Sequence, residues 1–327
     1  VARRFVRITQ ESAFGTYTAV GGGPSANPAI VIRGNGGNYF KPLTKPELWQ
    51  IMDTSGMNII ALAGSNVTVV GGQLVTQFYA SQAQFLLGWA LQRINTAQTS
   101  PWTTTELPYD LASCTIDFGY TRGTTAIKRT RYTGMKVVSG SIECSAEAPV
   151  ATLTLTLIGS TPQGNTFDSS TDPDATVFPE PALTAYPTDP YVFQHSLNGL
   201  TIGTVRTKYD KLNISWTNQC KAYYDENRFA NAVKMNGRKI SWSTNLRLRV
   251  SPDDRASTYE VVNASAGQVV FANGTNTCTL NFNGKNYMET LEEDLPLDGE
   301  FYYGLNMFSA LDSAVAAPNS DLQLSFT

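Results

Sequence analysis

The chain of 327 residues is poor in the groups that most enzyme chemistry draws on. It has one histidine, His195, so neither a His-based zinc site nor a Ser-His-Asp relay has much to build with, and His195 reads as structural. Its four cysteines, Cys114, Cys144, Cys220 and Cys278, lie far apart without C-x-x-C spacing. Buried free thiols are expected, not disulfides or a metal cluster. Charged residues are only 16% of the chain, against about 25% in an average globular protein. With a net charge of −3 there is no basic excess to drive counterion release, which excludes a tight nucleic-acid binder.

Long apolar runs are missing as well. The opening "VARRFVRITQ" lacks a signal-peptide core and no stretch of about eighteen apolar residues occurs, so a soluble protein made in the cytoplasm, without a membrane partner, is expected. No G-x-S-x-G elbow appears. The glycine runs "GGGPSAN" and "GNGGNYF" are followed by neither a helix nor G-K-[ST], so they read as loops and not phosphate cradles. The acidic "METLEEDLPLDGE" lacks the alternation of a calcium loop and reads as a solvated face. Catalytic residues, cofactor ligands and metal ligands are therefore all expected to be none.

What the chain has is alternation. "RRFVRITQ" reads as a short strand leading into a flexible N-terminal arm over residues 1–20, and residues 20–75 read as loops and short strands closed by glycine ("AIVIRG", "NIIALAG", "NVTVVGG"). One segment has helical period: Ala83, Leu87, Ala90, Leu91 and Ile94, widened by Phe85 and Trp89, predict an amphipathic helix over 81–97 with Ser81 as its cap. Core sheets are expected over 110–260, interrupted by a Pro- and Asp-rich loop at 160–190, with further strands over 260–327. The reading is one domain, 1–327, of mainly β class: a β-sandwich with one flanking α-helix and long loops.

Two hairpins stand out, 134–145 with 150–158 and 210–218 with 239–250. The first includes "ATLTLTL", and the second carries the echo "ISWTN" and "ISWST". Because side chains alternate sides along a strand, these hairpins have an apolar face of Leu, Ile and Trp. Their other face carries Ser139, Ser141, Glu143, Thr152, Thr154, Thr156, Asn213, Ser215, Thr217, Ser241 and Ser243. Arg247 and Arg249 share the last strand's polar side.

The stretch "KRTRYTGMKVVSGSIECSAEAPVATLTLTLIGS" resembles the major tail tube proteins of long-tailed bacteriophages. Its Tyr-x-Gly, alternating strand and return hairpin follow that family's pattern. In the same order, "ITQESAFGTYTA" resembles the family's E-S-x-[FY]-G-T opening, and "VVGGQLVTQFYASQAQFLLGWALQ" its Gly-strand-helix segment. "LNISWTNQCKAYYDENRFANAVKMNGRKISWSTNLRL" is similar to its strand, polar excursion and G-R-x-[IV] return. The long 160–190 loop and the region beyond about residue 260 depart from it.

The resemblance implies a structural virion protein: six subunits per ring, four strands from each subunit in one ring-spanning barrel, and rings stacked into a tube for genome ejection. It implies a virion tail component assembled in the host cytoplasm. The implied partners are other copies of itself, a tape measure protein, terminator and baseplate proteins, passing double-stranded DNA and, in contractile tails, a sheath. The eleven polar residues would line the lumen, and Arg3, Phe5, Phe14 and Tyr17 of the arm would join rings, so removing residues 1–15 would block stacking and spare the fold. Strands about 4.8 Å apart and tilted about 40° give a 24-strand barrel a lumen of roughly 38 Å after side chains, wide enough for duplex DNA of about 20 Å. Two alternatives are a tube of a related injection or tailocin system, and a carbohydrate-binding or depolymerising sandwich using Trp102, Tyr186, Tyr191 and Tyr223.

Overall fold

The computed structural model describes residues 3–16, 29–34, 38–52, 59–91, 102–103, 112–122, 126–166, 199–202, 205–207, 209–247, 265–273, 276–294, 302–310 and 323–326. Among these residues the protein is strands paired antiparallel, with one helix. The mainly β expectation holds.

β1 (Arg3–Gln10) lies between β2 (Ala29–Gly34) and β6 (Cys114–Arg122). It buries Phe5, Val6 and Ile8. The short strand read in "RRFVRITQ" is thus a central one with both edges paired, and deletion of 1–15 would remove the middle of a sheet. Next to β6 runs the first half of β7 (Ala126–Ser145), whose other edge carries β9 (Thr161–Thr166). The expected 160–190 loop therefore begins as a strand; residues 167–190 lie outside those described.

β7 changes sheets midway, at Gly134, which has φ 68°. A Cβ there would run into Ser160 and the Phe14 ring, so both the backbone and the space call for glycine. Beyond it, β7 pairs with β8 (Thr152–Gly159), β8 with β4 (Ile59–Gln77), and β4 with β3 (Tyr39–Met52). Within the region expected to hold loops and short strands, β2 is a short strand, but β3 and β4 are long and pair along most of their length. Gly71 and Gly72 misled the reading because they mark close approaches and not turns: a Cβ on Gly71 would meet the Leu157 carbonyl, and one on Gly72 the Lys41 carbonyl.

A second set of strands follows. β10 (Leu200–Ile202) pairs with β11 (Val205–Thr207) and β14 (Ser265–Asn273). β15 (Asn276–Asp294) pairs with β14, β16 (Tyr302–Ala310) and β17 (Gln323–Phe326), which also holds the short β5 (Trp102–Thr103). The expected hairpin of β12 (Tyr209–Tyr223) and β13 (Ala232–Arg247) is present, and β13 continues onto β16. The two sets join where Ser139–Ser145 of β7 pairs with Lys211–Thr217 of β12. The four strands expected to adjoin do so, but the sheet is wider than four: its order is β3-β4-β8-β7-β12-β13-β16-β15.

The helix α1 spans Ala80–Leu91, and residues 92–97 of the expected helix lie outside those described. Its first turn closes with Ala83 N donating to Tyr79 O, so Tyr79 and not Ser81 occupies the cap. The expected solvent face is absent too, because Phe85, Leu86, Leu87, Trp89, Ala90 and Leu91 are all buried. Both sides are tied down: Gln82 Nε2 donates to Val31 O at 2.8 Å and Trp89 Nε1 to Met135 O at 3.2 Å. The last carbonyls accept from Asn218 Nδ2 on Ala90 O and Arg238 Nη1 on Leu91 O, which also sets a cation at the negative end of the helix. Val6, Leu86, Leu155, Trp216 and Phe271 belong to one hydrophobic core.

All four cysteines are free, with Cys114, Cys144 and Cys278 buried and Cys220 partly exposed. Burial pushes the Cys144 thiol up to about 12 and raises Cys114 and Cys278 strongly. Since the thiolate is the reactive form, a thiol reagent at pH 8 should label Cys220 alone in the native protein and all four after denaturation, read by intact mass.

Candidate functional site

The eleven polar residues fall into three cross-strand rows. Thr156, Ser139 and Thr217 make the first, ending on Lys239 of β13; Thr154, Ser141, Ser215 and Ser241 make the second; Thr152, Glu143, Asn213 and Ser243 make the third. Residues directly opposite in antiparallel strands share a face, so one local alternation repeated on four strands becomes a continuous surface. None of the eleven is buried; Glu143, Thr156 and Thr217 are the most exposed.

The other face explains why this one stays in register. Leu153, Leu155, Leu157, Ile142, Ile214, Trp216, Ile240 and Trp242 are buried beneath it. A one-residue slip of any strand would send its apolar row to the polar side. Trp216 sits directly opposite Gly140, where a Cβ would collide with the indole and with Leu155. The glycine in "VVSGSIE" is therefore space for the neighbouring strand's tryptophan.

Locally the wall is held by weak contacts, with Ser141 Oγ donating to Glu143 Oε1 and Ser215 Oγ to Ser241 O, both at 3.4 Å. Charge is sparse: within the three rows only Glu143 and Lys239 carry it. Lys239 shares the parity of Ser241, a signal present in "GRKISWSTN" that sequence reasoning passed over. Its Nζ lies 3.5 Å from Glu289 Oε1, with side chains 52% and 54% exposed, and 5.6 Å from the Phe308 ring. So exposed a pair contributes little stability, but it places a carboxylate beside the cation.

The surface also runs beyond the expected strands. Gln73, Val75 and Gln77 of β4 lie opposite Thr156, Thr154 and Thr152, while Phe308 and Asn306 of β16 lie opposite Ser241 and Ser243. No local signal places these strands beside the hairpins, so the sequence reading missed them. Arg247 pairs in register with Tyr302 at the end of β13, and Arg249 lies outside the described residues. Hydroxyls and amides with so little charge can exchange hydrogen bonds with water or a passing polyanion, but they cannot grip phosphates as a basic groove does.

Of the four residues expected to join rings, only Phe5 and Phe14 have side chains among those described. Arg3 pairs opposite Thr121 within the sheet. Phe5 is 3% exposed and clusters with Val31 inside the subunit. Phe14 is half-buried with Lys136 Nζ 5.4 Å from its ring, and Tyr17 lies outside the described residues.

His195, Tyr186, Tyr191 and the "GGGPSAN" run also lie outside them. Asn38 of "GNGGNYF" is structural, its Oδ1 accepting from Gln77 N at 2.8 Å. The acidic "METLEED" pairs in β15, and is not a loop. Of the aromatics considered for sugar stacking, Trp102 lies in β5 and Tyr223 is exposed beneath Lys221 and Lys234. Among the described residues no group of three or more His, Cys, Asp or Glu could hold a metal, and no helix is long and apolar enough to cross a membrane.

Comparison with curated proteins finds no match. The family model described as phage tail tube protein matches residues 2–319, nearly the whole chain. A mainly β chain presenting this broad hydroxyl face, matched over that length, belongs to the phage tail tube protein family.

Proposed function

We propose that copies of this protein close into rings, that the rings stack into a hollow tail tube, and that the hydroxyl-rich face lines the channel through which double-stranded DNA leaves the virion. The observation that carries this reading is the face itself: three ordered rows of Ser, Thr and Asn across four strands, one side chain deep over a core of Leu, Ile and Trp. Each basic contact with phosphate would add affinity and slow passage, so a conduit needs a wall that DNA touches weakly. Six four-stranded blocks per ring, 24 strands in all, give the lumen of roughly 38 Å; with one block from each copy, the ring would be a hexamer. The two sheets on which β7 lies would pack as a sandwich with α1.

The role is structural and not catalytic. The lumen would hold a tape measure protein during assembly in the host cytoplasm, terminator and baseplate proteins would cap the tube's ends, and in a contractile tail a sheath would surround it. Negative-stain microscopy of the purified protein at high concentration should show rings or hollow tubes with a stain-filled channel. A strictly monomeric protein under all conditions would refute the tube reading.

A further inference from the structure

The second set of strands repeats the first, pairing by pairing. β1–β2, β1–β6, β3–β4, β4–β8, β6–β7, β7–β8 and β7–β9 have as counterparts β10–β11, β10–β14, β12–β13, β13–β16, β14–β15, β15–β16 and β15–β17. Three pairs of irregularities repeat as well, while the shifts between Tyr209 and Leu212 and between Ile51 and Met52 stand at the ends of their ladders. The ladder shifts between Pro46 and Leu48 and again between Asn218 and Cys220, and between Val137 and Ser139 and again between Met288 and Thr290. A third pair falls between Cys114 and Ile116 and between Ser265 and Gly267. Bulges are local, specific features, and matching sets have no reason to arise in unrelated hairpins. Aligned on them, Val70, Tyr132, Leu155 and Leu157 correspond to Ile240, Phe282, Leu305 and Met307, all buried. The stretch 250–261, which corresponds to α1, lies outside the described residues.

We infer that the chain is an internal duplication of one tube unit, and that a ring therefore contains three chains, each sealed to the next by β15 of one copy pairing with β3 of its neighbour. This rests on the tube reading. Inside one chain, β7 of the first unit pairs with β12 of the second. Its counterpart, β15 with β3, is not made among the described residues, where these strands end the eight-strand run. Among the described residues β3 pairs only with β4, and Tyr287–Asp294 of β15 only with β16.

Charge supports the match independently. Carrying the β7–β12 register over to β15 and β3 sets Asp294 opposite Lys41, Glu292 opposite Leu43 and Thr290 opposite Lys45. Glu292 is then diagonal to both lysines, within reach of each. Glu292 and Asp294 of one edge thus share a face with the lysines of the other, whereas β3 against β3 or β15 against β15 would set like charges together. Tyr39 and Leu43, 45% and 50% exposed, are two of the three exposed large hydrophobics among the described residues, and both sit on β3.

The strand count agrees. Three copies of an eight-strand sheet make 24 strands and the lumen of roughly 38 Å, whereas six copies would make 48 strands and a lumen of roughly 86 Å, more than four times the width of DNA.

Image reconstruction of wild-type tubes should give threefold rings whose six blocks alternate in two forms. Oxidising Lys41→Cys/Asp294→Cys rings should give a cross-linked ladder ending at three chains. Lys41→Glu/Lys45→Glu, folded by circular dichroism, should lower tube yield by about tenfold or more, and adding Glu292→Lys/Asp294→Lys should restore it. Sixfold rings, a ladder reaching six chains, or normal tubes without the cross-link would overturn the inference and leave the tube reading intact. Absence of any ring or tube in the wild type would instead refute the tube reading.

Discussion

Glu11→Ala should lower the unfolding free energy by about 3 kcal/mol or more, a large share of a typical domain's stability. Glu11 is 6% exposed and accepts three hydrogen bonds: from Gly15 N at 2.9 Å, Gly134 N at 2.8 Å and Thr115 Oγ1 at 2.7 Å. Bonds to a charged acceptor are each worth about 1.5–3 kcal/mol, and truncation strands backbone donors at two glycines of positive φ, Gly15 at 72° and Gly134 at 68°. The same residue joins the opening "ESAFGT" to the "YTG" where β7 changes sheets, with Phe14 packed against Gly134 and beside Lys136. Two motifs more than a hundred residues apart are thus parts of one joint. Denaturant unfolding at pH 7 measures the effect, and Glu11→Gln, which keeps one acceptor oxygen, should lose less than the alanine variant. A Glu11→Ala protein within about 1 kcal/mol of wild type would show that the joint contributes little.

Thr154→Lys should leave tubes intact and slow DNA ejection severely at low salt. Thr154 sits in the middle row, half-exposed, between Val75 of β4 and Ser141 of β7. Its backbone pairing does not involve the side chain, and the buried leucines on either side of it hold the strand. A lysine there repeats in every ring, so cationic contacts accumulate along the channel. Each phosphate neutralised steepens the salt dependence of binding by a slope of about 0.9, so the defect should relax as ionic strength rises. Ejection from virions carrying the variant, followed by dye fluorescence across a salt series, tests this, with Thr154→Ser as the neutral control. Unchanged ejection at low salt would remove Thr154 from the lumen. Failure to assemble would place it in a packed interface.

The hairpins were legible because their signal is local. "ATLTLTL" and "ISWSTN" state their buried and polar sides residue by residue, and the structure buries Leu153, Leu155, Leu157, Ile240 and Trp242 accordingly. What misled were residues whose meaning depends on a distant neighbour. Gly71, Gly72 and Gly140 punctuate the sequence like turns, yet they lie inside strands where another chain segment leaves no room for a Cβ. The helix looked amphipathic from the spacing of its apolar residues, but Gln82, off that stripe, is buried and donates to the Val31 carbonyl. The repeat of the two units left almost no trace in residue identity, since a core keeps volume and polarity more strictly than sequence.

By itself the sequence determined which side of each strand is apolar, the freedom of its cysteines and the near absence of charge from the polar face. These follow from a side-chain period of two and from composition, which need no partner. Only the tertiary structure decided which strands adjoin, how wide the wall is and where its edges lie. Pairings such as Ser141 with Ser215 or Thr154 with Val75 are chosen by packing between segments far apart in the chain, like Trp216 against Gly140, and no local pattern encodes that choice.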